Sequence, residues 1–92
     1  MTANTLKNIA KAQATSDVET MINFINNDMM SIKKFKRQLE LNMAATAVKE
    51  LTFAIKRATK LDNHDASVMA SDIAMLFDKI LSFCKASGKK WA

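Results

Sequence analysis

The chain is predicted to be all-α, and three observations carry that expectation. Proline is missing and the single glycine, Gly88, stands near the C-terminus, so the Gly-, Pro- and Asn-Gly-based turns that join β-strands do not occur between the apolar runs. Straight-chain helix formers such as Ala, Leu, Met and Lys dominate the composition, and these lose little rotamer freedom in a helix. Apolar residues also recur three and four positions apart along most of the sequence, the spacing that gathers them on one helical face. With 92 residues there is room for one domain and one small core.

The first helix is expected over about 5–14, where Leu6, Ile9 and Ala10 share a face and Asn4 or Thr5 is placed to cap it. The second, over about 17–28, opens on Ser16-Asp17-Val18-Glu19, an S-x-x-E pattern in which the Ser16 hydroxyl and the Glu19 carboxylate can each satisfy a free backbone N–H. Its stripe is Val18, Met21, Ile22, Ile25 and Met29. Asn26, Asn27, Asp28 and Ser31 compete locally for backbone hydrogen bonds and predict a break near 27–31.

One long central helix is expected over 32–60. Its first half carries Ile32, Phe35 and Leu39, and its second Val48, Leu51, Ile55 and Ala58. The two stripes lie roughly 140° apart on a continuous helix, so either the helix ends near Asn42 to Thr46 or its halves pack on different neighbours. Without glycine or proline to stop it, the continuous helix is preferred.

Leu61 to Asp65 reads as a loop with Asp65 as the cap of a last helix over 66–87, whose broad stripe is Met69, Ile73, Leu76, Phe77, Ile80, Phe83 and Cys84. Gly88 falls where a C′ residue belongs, ahead of a basic tail over 88–92. The architecture predicted is a small bundle of three to four helices, antiparallel because the connections are short.

Charge is segregated. Residues 29 to 60 hold eight basic and two acidic side chains within a whole-chain charge of +5. Lys33, Lys34, Lys36 and Arg37 fall within about 160° of one helical face, and Lys56, Arg57 and Lys60 lie one helix length further on. Such runs usually mean no more than a solvated face. Read functionally, this is a candidate partner-binding face for phosphates or for an acidic protein. Asp62, Asp65, Asp72 and Asp78 make the last helix acidic at its start, which helix-dipole complementarity explains without a function.

Chemistry is sparse. Asp62-Asn63-His64-Asp65 is the one place where His and carboxylates gather, and zinc normally takes three or four ligands from separate positions. No metal site, cofactor or catalytic group is therefore expected. Cys84 has no second cysteine to pair with and reads as a small buried hydrophobe in a reducing, cytoplasmic setting. There is no Gly-rich phosphate loop, no glycine-framed nucleophile and no run of about 20 apolar residues that would span a bilayer.

Seven methionines, and aromatics that sit off the main stripes, supply the candidate apolar anchors: Phe24, Met29, Met30, Phe53 and Trp91. The function expected is that of a non-enzymatic protein-binding regulator or adaptor that self-associates as a homodimer. The alternative is a nucleic-acid binder that contacts phosphates through the basic face. It ranks second because there is no Tyr and only one Trp to read or stack bases.

Overall fold

The structure is a computed structural model that describes residues 1–26 and 28–91, without the side chains of Met29 and Met30. Among the described residues it is all-helical, with five helices: α1 (Ala3–Gln13), α2 (Val18–Asn26), α3 (Met29–Glu40), α4 (Ala44–Ala58) and α5 (Asn63–Ser87). The prediction of three or four helices fails at one point, the central helix.

Helix α1 begins two residues earlier than expected, because the cap is Thr2, whose hydroxyl accepts from the Thr5 N–H at 3.2 Å. Its inner face is Thr5, Ile9 and Ala12, while Ala10, expected inside, is exposed. Ser16 does not cap α2. Asp17 does so, its carboxylate accepting from the Thr20 N–H at 3.3 Å and the Thr20 hydroxyl at 2.5 Å. The Thr20 hydroxyl bond above all holds the Asp17 carboxyl below its ordinary value, and Glu19, freed from the expected box, pairs with Lys89 instead.

The break in the Asn-rich segment occurs as α2 ends at Asn26, and α3 starts at Met29, ahead of the expected residue 32. Asp28 sits between them, and its carboxylate accepts from the Thr5 hydroxyl (3.1 Å) and from the Asn8 side-chain amide, which ties the α2–α3 junction to α1. Asn27 lies outside the described residues.

The single long helix over 32–60 is replaced by α3 and α4, which meet at a tight reversal. Asn42 adopts φ 59°, in the left-handed region, which Asn tolerates better than most residues. The Met43 N–H donates to the Gln38 carbonyl at 2.8 Å and the Asn42 N–H to that of Leu39 at 3.1 Å. This pair of bonds is a Schellman ending, built here on Asn rather than Gly. Its physical reason is the offset between the two apolar stripes: ending the helix lets Ile32 and Phe35 on α3, and Leu51 and Ile55 on α4, all reach the same core.

Helix α5 starts at Asn63, not 66, because Asp62 rather than Asp65 is the cap, accepting from the Asp65 N–H at 2.8 Å. Its expected stripe is largely correct, with Ile73, Leu76, Phe77 and Ile80 buried and Met69, Phe83 and Cys84 half-buried against the core. Gly88 at φ 72° ends the helix in the left-handed conformation. The segment beyond Gly88 is no free tail: the chain folds back, Lys89 reaches Glu19, and Trp91 is buried 5.3 Å, ring to ring, from Phe77.

Helix α5 is the central element. Helix α4 packs most extensively along it, α3 and α2 close on its remaining sides, and α1 leans chiefly on α2. Burial of Phe77, Ile25, Ile32, Leu51, Ile55, Ile73 and Ile80 in one cluster supplies the main stabilising term, about 1.5–3 kcal/mol for each large side chain removed from water.

Candidate binding surface

Helices α3 and α4 hold seven of the 14 basic residues, and the Asn42 reversal lays the two helices side by side. Lys34 pairs with Glu50 across them at 2.8 Å, and the Gln38 amide donates to the same carboxylate oxygen at 2.8 Å. The hydrogen bonds from Lys34 first and Gln38 second hold the Glu50 carboxyl below its ordinary value. These contacts fix the register of the two helices at the surface.

Beside this bridge Phe53 projects from α4 with 48% of its surface exposed. Lys49, Lys56 and Arg57 are three or four positions away on the same helix, all exposed, and this spacing sets them around the ring. Lys34, Phe35, Glu50, Phe53 and Arg57 together line a shallow depression of about 180 Å³. An apolar ring in a collar of cations thus stands on the outer side of α4, while Leu51, Ala54 and Ile55 face inward.

Not all of the predicted face survives. Lys33, Lys34, Arg37, Lys56, Arg57 and Lys60 are exposed. Lys36, however, is half-buried and turned away: its ammonium donates to the Trp91 carbonyl at 2.8 Å, stands 5.7 Å from the Trp91 ring centroid, and lies 3.5 Å from Glu40. Arg37 also approaches Glu40, at 3.8 Å. The charge of α3 is therefore partly matched within the chain, whereas Lys49, Lys56 and Arg57 on α4 form no ion pair among the described residues.

The apolar anchors separate in the same way. Phe53 is exposed as expected, whereas Trp91 is 2% exposed and belongs to the core. Phe24 is half-buried and packs against that core. The side chains of Met29 and Met30 lie outside the described residues. Cys84 is half-buried rather than buried, since it lines a cleft of about 480 Å³ with Lys36, Leu81 and Trp91. Of the acidic loop, Asp62 serves as the α5 cap and His64 lies exposed in the first turn.

A second apolar surface escaped the expectations drawn from sequence. Met75 is 71% exposed on the outer side of α5, with Val68 at 49% two turns before it. Leu41 and Met43 are also exposed, on either side of Asn42. Leu39, Asn42, Ala44, Val48, Ala74 and Met75, with Ser71 and Asp78, line a groove of about 410 Å³ between the reversal and α5. Met75 was legible from its position opposite the buried stripe, whereas Leu41 and Met43 depended on a turn near Asn42 that the sequence offered as the less favoured alternative. Among the described residues no helix is long and apolar enough to cross a membrane. Compared with known proteins, the chain matches no family model, no curated protein and no solved structure.

Proposed function

We propose that this chain is a non-enzymatic protein-binding regulator or adaptor, and that the outer side of α4 receives an acidic protein surface with Phe53 as the apolar anchor. The observation that carries the reading is the exposed Phe53 ring among Lys49, Lys56, Arg57 and Lys34. A ring that is half exposed in the free chain gains burial on binding, and the surrounding cations steer an acidic partner and fix its orientation.

Nucleic acid is the second reading, and it rests on the same open cations. It is disfavoured by the burial of the other aromatics: Phe35, Phe77 and Trp91 are buried, and Phe24 and Phe83 are half-buried. Successive bases stack on successive aromatic platforms, and among the described residues Phe53 is the one exposed aromatic. The lone thiol of Cys84 accords with a reducing compartment such as the cytoplasm.

The test is affinity capture from lysate with and without nuclease, comparing the unaltered chain with Phe53→Ala and with a Lys56→Ser/Arg57→Ser double variant. The expected partner survives nuclease, is acidic where it binds, and is lost with Phe53→Ala. In purified form the Phe53 change should weaken binding by about thirtyfold, the equivalent of a 2 kcal/mol hot spot. Loss of every captured species on nuclease treatment would favour the nucleic-acid reading. Capture indifferent to both variants would overturn any role for this face.

A further inference from the structure

Phe53 and the Met75 groove stand on opposite sides of α4. Val48, on the groove side, is five positions from Phe53, and Ala44 is nine positions away; at about 100° per residue these separations are roughly 140° and 180° around the helix. The knob has cations around it, whereas the groove has Asp78 in its lining and Asp72 three positions before Met75, against one exposed cation, Lys79, four positions after it. Met75 lies between Asp72 and Asp78 on the exposed side of α5, and residues 62 to 78 contain four aspartates and no lysine or arginine. The groove, at about 410 Å³, has volume enough for an aromatic side chain, and its lining is mostly apolar, with Leu39, Val48, Ala74 and Met75. One molecule thus carries a basic apolar knob and, facing away from it, an acidic apolar groove.

We propose that the occupant of the Met75 groove is a second copy of this chain, seated through Phe53, with Lys56 and Arg57 of the incoming copy beside Asp72 and Asp78. This rests on the reading of Phe53 as an anchor for an acidic protein surface and identifies that surface as the chain's own α5. The contact is heterologous: it uses two different patches. Because the patches point in opposed directions, filling the groove of one copy leaves the knob of that copy and the groove of the next both open. Such a contact propagates into a ring or an open filament and does not close as a dimer. On this inference the chain grows head to tail, where the sequence alone led to the expectation of a homodimer. The contact is small, one aromatic side chain and its collar, which places it among weak, concentration-dependent associations.

Sedimentation velocity over low to high micromolar concentration tests this with three proteins: the unaltered chain, Phe53→Asp and Met75→Lys. Both substitutions are at exposed positions, and circular dichroism checks that each variant keeps its helices. The unaltered chain should grow past the dimer with concentration. Growth should shrink toward ~1 M salt, where the Debye length is about 3 Å. Each variant should associate at least about tenfold more weakly, the scale expected for loss of an interface anchor. An equimolar mixture of the two should form one discrete heterodimer, since Phe53→Asp retains a groove and Met75→Lys retains a knob. A monomeric unaltered chain would overturn the inference, as would growth that persists in Met75→Lys or a mixture that fails to pair. A monomeric chain that still captures a nuclease-resistant partner through Phe53 would overturn only the self-assembly and leave the proposed function standing.

Discussion

The Lys36 ammonium donates to the carbonyl of Trp91 at 2.8 Å and stands 5.7 Å from the centroid of its ring. A lysine that the sequence groups with three surface cations thus holds the C-terminal segment against the core. Truncation at either partner should be felt as stability. Trp91→Ala is expected to cost about 3–5 kcal/mol, in the range for deleting a large buried aromatic side chain. Lys36→Ala should cost about 1–2 kcal/mol, from a charged hydrogen bond and a cation–π contact. Denaturant unfolding of both single variants and the double variant measures the coupling. Additive losses would show that the two side chains do not cooperate.

The same segment covers Cys84. Thiol labelling in the native state should be slower than in denaturant, because Cys84 is half-buried in the cleft with Leu81 and Trp91. In Trp91→Ala the native rate should rise, as the cleft loses a wall. Equal rates in the two proteins would mean that Trp91 does not screen the thiol.

Two helices end on left-handed residues of different kinds, Asn42 at φ 59° and Gly88 at φ 72°. Asn42→Gly is expected to be neutral or slightly stabilising, and Asn42→Ala to cost about 1 kcal/mol, because only the second places an unsuited Cβ in the left-handed region. Gly88→Ala should cost a similar amount, about 1 kcal/mol, arising from conformation alone, since a Cβ there meets nothing within 4 Å. Denaturant midpoints separate the three variants. A stabilised Asn42→Ala would argue for a continuous α3–α4 helix.

Acid should weaken the fold through two carboxylates. Hydrogen bonds from Lys34 and Gln38 depress Glu50, and those from Thr20 depress Asp17. A group whose folded value lies below its unfolded one contributes stability that is complete above the unfolded value, about 4.3 for Glu and 3.9 for Asp. That contribution is lost as the pH falls through the folded value. Stability measured from roughly pH 6 down to pH 3 should therefore decline, and Glu50→Gln with Asp17→Asn should flatten the decline, since neither amide titrates. An unchanged slope would place the acid sensitivity elsewhere.

The helical class and the inner faces of α3, α4 and α5 were legible in the sequence, because periodicity is a local property and the stripes of Ile32/Phe35, Leu51/Ile55 and Ile73/Phe77/Ile80 declare themselves without partners. The capping sites were harder. Another acceptable cap stands close to each of Thr2 (Asn4), Asp17 (Ser16) and Asp62 (Asn63), and the choice depends on where the chain must turn. The exposed Phe53 was legible too, lying opposite its helix's apolar stripe. Local pattern therefore determined that the chain is helical, where most of its helices run and that α4 presents a basic aromatic side.

The tertiary structure decided the rest. Asn42 ends α3 because two stripes about 140° apart can meet one core only if the chain reverses; the offset is in the sequence, but that both stripes share one core is not. Trp91 enters the core because Gly88 turns the chain back over Phe77, and the tail alone gives no sign of that destination. Lys36 leaves the basic face for the same reason, since its partner lies 55 positions away. The groove beside Met75 exists only once the reversal and α5 are brought together. Periodicity reports which way a side chain faces on its own helix, whereas what it meets there is set by contacts between residues far apart in the chain.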